Sequence, residues 1–148
     1  MTLRSTLLSA RPSSLTPTPV KEKRGVKILI VDDEAHIRAL VEQTLEDLED
    51  EGVELLSADN GEDALALIQA EQPELVFLDV MMPRMNGFDV CYAVKHELGM
   101  AGVYIVLLTA KGQVVDREKG MEVGADTYMT KPFSPAMLRS LATDVLGL

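Results

Sequence analysis

Tryptophan is absent from this 148-residue chain, aromatic residues make up only 4% of it, and Cys91 is the single cysteine. One thiol can neither close an internal disulfide nor build a metal cluster, so nothing requires an oxidising compartment. The two histidines, His36 and His96, lack partnered ligands, and they read as solvated helix residues rather than a zinc site. Long hydrophobic runs are also missing. The longest, Val103 to Leu108, falls far short of the roughly 18 residues a bilayer-crossing helix needs. No membrane span is expected, and the expected location is cytoplasmic.

What the chain does contain, 47% hydrophobic and 26% charged residues, is the balance of one folded domain around one core. Its charge is uneven. The first 25 residues hold Arg4, Arg11, Lys21, Lys23 and Arg24 against Glu22 alone, a net +4; with −10 for the whole chain, the rest carries −14. So acidic a body repels nucleic acid phosphates, which leaves metal ions and proteins as the expected partners and no direct nucleic acid contact.

Residues 1–25 are rich in Ser, Thr and Pro, with breaks at Pro12, Pro17 and Pro19 and few large apolar side chains. They are expected to form a disordered basic tail, with the folded domain at 26–148. Leu3, Leu7 and Leu8 are too scattered for a secretory signal, although the lack of acids before Glu22 is compatible with an organelle transit peptide. From Val26 onward five strand candidates alternate with helical spacing: Val26 to Val31, Val53 to Ser57, Leu75 to Leu78, Val103 to Leu108 and Thr127 to Thr130. Ile37, Leu40, Val41, Thr44, Leu45 and Leu48 share one helix face, as do Leu138, Leu141 and Val145. Asn60-Gly61, Asn86-Gly87 and Ser134-Pro135 mark helix starts, and Gly52, Gly99 and Gly124 mark stops.

Alternating strands and helices predict a parallel sheet covered on both faces, because each crossover lays its helix on the sheet. Strands 1, 3 and 4 are apolar at nearly every position and belong in the middle; strands 2 and 5 carry Glu54, Ser57 and alternating threonines, which suits edges. The expected fold is therefore α/β, flavodoxin-like and doubly wound, with five helices and strand order 2-1-3-4-5. In such a sheet ligands sit at the carboxyl ends of the strands, where the strand order reverses. Asp32-Asp33, Asp79, Thr109-Ala110 and Lys131-Pro132 all fall at that edge. Each alone has an ordinary explanation: a helix cap, a turn, a solvated lysine. Together they do not, because clustered carboxylates repel unless a cation lies among them, and an all-oxygen donor set open to water suits Mg²⁺.

Ile28-Leu29-Ile30-Val31-Asp32-Asp33, Phe77-Leu78-Asp79-Val80-Met81-Met82-Pro83, Leu108-Thr109-Ala110-Lys111 and Lys131-Pro132-Phe133, with Gly87 and Gly124-Ala125-Asp126 between them, resemble the receiver domain of response regulators over residues 26 to about 147. The resemblance implies that Asp79 takes a phosphoryl group from a partner kinase's phosphohistidine. It implies Mg²⁺ held by Asp33, Asp79 and the backbone carbonyl of Met81, with Asp32 acting directly or through a water. Lys131 would pair with Asp79 and then with a phosphoryl oxygen, Thr109 would bond another, Ala110 would leave room, and Tyr128 would move with Thr109. Lys131-Pro132 matches the family's cis peptide. Met81 and Lys111 match the positions that tune phosphoryl lifetime.

The implied partners are a histidine kinase or phosphotransfer protein on one side and an output protein or a homodimer partner on the other. With no output domain after Leu148, a single-domain regulator acting through the surface of its fourth helix, fifth strand and fifth helix is expected, not an enzyme with substrate turnover. A degenerate receiver serving as an interaction module is the main alternative. A haloacid-dehalogenase-type phosphohydrolase would need Asp-x-Asp after strand 1 and a cap segment. A flavodoxin-like electron carrier would need a phosphate-cradling loop there, and a P-loop switch a Gly-Lys-Ser/Thr loop.

Overall fold

The computed structural model describes residues 25–110 and 114–148. The expected basic tail, Gly25 excepted, and Lys111 lie outside the described residues. The elements are β1 (Val26–Val31), α1 (Ala35–Leu45), a 3₁₀ segment (Glu46–Glu51), β2 (Val53–Ala58), α2 (Gly61–Glu71) and β3 (Leu75–Asp79). They are followed by α3 (Gly87–Tyr92), which continues as a π-type turn (Ala93–Glu97), then β4 (Tyr104–Ala110), α4 (Val114–Glu122), β5 (Thr127–Lys131) and α5 (Pro135–Leu146). The five strands pair in parallel in the order β2-β1-β3-β4-β5. This is the fold the alternating pattern predicts.

Two apolar layers hold the sheet. On one face Leu29, Val31, Val76, Leu78, Ile105 and Leu107 pack with Ile68 of α2, Val90 and Cys91 of α3, and Val123. On the other, Ile28, Ile30, Leu75, Phe77, Val106 and Leu108 meet Val41 and Leu45 of α1 and Leu138 and Ala142 of α5. Because adjacent side chains on a strand alternate between faces, strands apolar at every position must be central. The Cys91 thiol, buried in the first layer, is pushed up to about 11 by desolvation and so stays protonated. Phe88 is half-buried against the same layer. His36 and His96 are exposed, the latter stacked on Tyr92 with ring centroids 4.7 Å apart.

The helix starts follow local side-chain chemistry. Asn60 Oδ1 accepts from the Asp63 N–H at 2.8 Å, Asn86 and Asp89 cap each other reciprocally, and Ser134 caps α5 with Pro135 at its first turn. Gly52, Gly99 and Gly124 all take positive φ where stops are expected. Two details differ from the sequence pattern. Leu40 remains 38% exposed, because it lies furthest round the helix from Leu48 and only flanks the apolar stripe. Helix α2 ends without a glycine, at Gln72 in the left-handed region with φ 49°.

Candidate functional site

Asp32 and Asp33 follow β1 as expected, whereas Asp79, Thr109, Ala110 and Lys131, expected beyond their strands, are placed by the ladder itself. Asp79 is the last residue of β3 and pairs with Leu108; Thr109 pairs with Thr130, and Ala110 with Lys131. Backbone pairing therefore fixes these Cα positions more tightly than a loop would. Beyond β3 the chain folds back at once: Gly87 N–H donates to the Val80 carbonyl at 3.0 Å. A Cβ at Gly87 would collide with the carbonyl oxygen of Asp79 and lie 2.9 Å from Val80 Cα, so only glycine lets α3 begin this close to Asp79. Gly87→Ala is expected to lower stability by about 1–3 kcal/mol, the usual cost of overpacking, readable as an earlier urea midpoint.

The centre is a small electrostatic network. Asp32 is fully buried and Asp79 is 2% exposed, whereas Asp33 is exposed. One carboxylate oxygen from each lies within 4.8 Å of the others. Lys131 Nζ stands 3.0 Å from Asp32 Oδ2 and 3.2 Å from Asp79 Oδ1. The other Asp32 oxygen accepts from the Glu34 N–H at 2.9 Å, and the Arg38 guanidinium donates to the Asp32 carbonyl at 2.7 Å. The N-cap of α1 is Glu34, whose side chain makes no capping bond, so neither aspartate is spent as that cap. Asp79 Oδ1 also accepts from the Met81 N–H at 3.2 Å, while no described residue donates to Oδ2. Thr109 is buried at the end of β4, Tyr128 is half-buried on β5, and the Lys131–Pro132 peptide is cis.

Burial first, and then the negative charge of Asp32, push Asp79 up to about 7; Lys131 offsets only part of this. Lys131 itself is shifted upward: burial pulls it down, but the hydrogen bond to Asp32 and the charges of Asp79 and Asp32 more than compensate. Three carboxylates facing one ammonium leave a negative excess, all on oxygen donors, with Asp33 open to solvent. That donor set fits a hard divalent cation.

A pH dependence follows. Asp79 binds its proton more tightly in the folded than in the unfolded chain, so the metal-free fold is favoured by this group at low pH and loses that contribution as pH rises from about 4 through about 7. A cation must displace the same proton. Apparent Mg²⁺ affinity is therefore expected to rise about tenfold per pH unit below 7 and to level off above it. Titration calorimetry at several pH values checks this; an affinity flat from pH 5.5 to 8 contradicts it.

The sequence brings out Asp32, Asp33, Asp79, Thr109 and Lys131 directly. It does not bring out that Lys131 bridges two carboxylates, that Arg38 braces the Asp32 carbonyl, or that Arg117 lies over the Tyr128 ring with Cζ 4.6 Å from its centroid. No short motif carries those contacts.

The doubly wound parallel sheet thus carries three carboxylates and a lysine at its switch point. The family model for the response regulator receiver domain matches residues 28–143, and the chain belongs to that family: it is a receiver domain of two-component signalling, not a substrate-turnover enzyme. It is 46% identical over 125 residues to the probable transcriptional regulator ycf27 of Porphyra purpurea, a match covering 84% of this chain and 49% of that one. The chain spans about half the length of the regulators of this kind that it matches. Among solved structures, chemotaxis protein CheY4 of Vibrio cholerae superposes with TM-score 0.72 at 34% identity, over 82% of this chain and 98% of that one. The BeF3-activated DrrB receiver domain gives 0.72 at 32% identity, over 84% and 99%. Among the described residues no helix is long and apolar enough to cross a membrane.

Proposed function

We propose that Asp79 accepts a phosphoryl group from the phosphohistidine of a histidine kinase or phosphotransfer protein in a Mg²⁺-dependent reaction, and that the new charge switches protein–protein contacts of domain 26–148. One observation carries this reading: Asp79 is a buried carboxylate with Oδ1 anchored by Met81 and Lys131, and no described residue donates to its Oδ2. Ionised Oδ2 attacks phosphorus as the N–P bond to the donor imidazole breaks, the electron pair stays on the imidazole nitrogen, which takes a proton from solvent, and an acyl phosphate results. Transfer of this kind demands mainly positioning and charge neutralisation.

Asp33, Asp79, Asp32 and the Met81 carbonyl are the groups that would hold Mg²⁺. Bound there, it supplies the positive charge that lets a phosphate anion approach carboxylates. Lys131 neutralises Asp79 beforehand and a phosphoryl oxygen afterwards. The Thr109 hydroxyl donates to another phosphoryl oxygen, Ala110 leaves it space, and Tyr128 follows Thr109. Two or three hydrogen bonds to a charged group, about 1.5–3 kcal/mol each, match the roughly 5.5 kcal/mol that reverses a two-state equilibrium.

The activation of DrrB by BeF3, a mimic of a carboxyl-bound phosphoryl group, supports this reading. The names of the ycf27 relatives, probable transcriptional regulators, support an output in transcription. Incubation with acetyl phosphate should add one alkali-labile phosphoryl group by mass spectrometry, only when Mg²⁺ is present. Equal labelling in EDTA rejects the mechanism, and many products released per protein would favour a phosphohydrolase.

A further inference from the structure

We infer that Arg117 is a positioning residue: its guanidinium holds the Tyr128 ring where it lies in the unphosphorylated protein and so restrains phosphorylation of Asp79. This rests on the Asp79–Thr109–Tyr128 reading above and adds a residue to it.

Three observations carry the inference. First, Arg117 Cζ sits 4.6 Å from the Tyr128 ring centroid, and this exposed arginine makes no ion pair with any described residue. A long charged side chain with a carboxylate-rich surface at hand has settled on an aromatic face, which is attractive through the ring quadrupole. Second, Tyr128 is only partly buried where it packs against the first apolar layer. It stands half-buried opposite Leu107 on the edge strand, on the same face as Thr109 two residues along β4. Beside it a cleft of about 330 Å³ is lined by Gly120, Met121, Ala125 and Thr127. The nearby hydroxyl of Thr127 is engaged with that of Tyr104 at 2.6 Å. Third, Arg117 belongs to α4, on the outer wall of that cleft, so the contact ties the edge strand to the helix that follows Thr109.

A cation over a ring at an exposed site shifts an equilibrium by roughly two- to fivefold. If Tyr128 must leave this position for the phosphorylated form to be populated, losing Arg117 enlarges the competent fraction by that factor, and the apparent rate follows. Gln keeps the length and polarity of Arg117 but not its charge, and Lys restores the charge.

The protein is prepared with 3-fluorotyrosine. Its ¹⁹F spectrum is recorded with Mg²⁺ before and after acetyl phosphate, Tyr128→Phe assigns the resonance, and labelling rates are measured by mass spectrometry. For Arg117→Gln, the unphosphorylated Tyr128 resonance should move toward its phosphorylated position and labelling should run two- to fivefold faster; Arg117→Lys should return both toward wild type. A merely structural contact would shift the Tyr128 signal without carrying it toward the phosphorylated position and would leave the labelling rate unchanged. If wild type labels at Asp79 and its Tyr128 signal shifts, but Arg117→Gln behaves as wild type or labels more slowly, the inference fails and the function stands. If wild type does not label at Asp79, the function itself is overturned and the inference falls with it.

Discussion

Asp79→Asn should abolish Mg²⁺-dependent labelling by acetyl phosphate while making the metal-free protein more stable at neutral pH. The two effects share one cause. Asparagine fills the same volume and can still accept from the Met81 N–H, now 3.2 Å from Asp79 Oδ1, but it offers phosphorus no anionic oxygen. It also removes a charge that burial and Asp32 make unfavourable enough to push Asp79 up to about 7. The metal-free variant should therefore lose the decline in stability between about pH 4 and 7 that this group causes in wild type. Mg²⁺ affinity should fall at least tenfold, since even altering groups that merely orient metal ligands costs 10–100-fold. Thermal unfolding with and without Mg²⁺ reads stability and metal binding together. A variant that still acquires an alkali-labile, metal-dependent phosphoryl group would place the acceptor elsewhere, and one less stable than wild type at pH 7.5 without metal would contradict the electrostatic account.

Lys131→Ala should cost about 3–5 kcal/mol in metal-free protein at pH 8, the range for removing one member of a buried ion pair. Lys131 Nζ is within 3.2 Å of both Asp32 and Asp79, and its loss strands two carboxylates that are almost wholly buried. Two remedies exist, and each gives a signature. Asp79 can keep its proton to a higher pH than in wild type, so the deficit should shrink toward pH 5. A divalent cation can replace the missing positive charge, so saturating Mg²⁺ should recover much of the stability. Urea unfolding at pH 5 and pH 8, with and without Mg²⁺, separates this from simple loss of packing. A deficit equal under all four conditions would mean that the lysine acts through its aliphatic stem rather than its charge.

Much of this molecule is legible locally. Ile28-Leu29-Ile30-Val31 reads as a central strand because burial on both faces leaves no position for a polar side chain, and Asn86 with Asp89 reads as a helix start because each satisfies an unpaired backbone N–H of the other. Asp79, Asp32, Asp33 and Lys131 are visible for a related reason: parallel topology sends every strand's carboxyl end to one edge, so residues far apart in sequence meet once the strand order is known. What is not legible depends on distances across the fold. Leu40 obeys the helical period yet stays exposed, because period alone does not say how wide a stripe the neighbouring elements cover. Gln72 takes a left-handed stop with no glycine to announce it.

The sequence by itself determined the five-unit α/β fold, the strand order and the residues gathered at the switch point, because hydrophobic period, caps and chain topology are local signals that all agree. Only the tertiary structure decided how those residues share their charge. Lys131 spans Asp32 and Asp79 across 99 and 52 residues of chain, desolvation raises Asp79 to about 7, and Arg117 comes to rest on Tyr128. Those outcomes depend on side-chain distances of 3 to 5 Å and on exclusion of water, quantities set by packing and carried by no stretch of sequence.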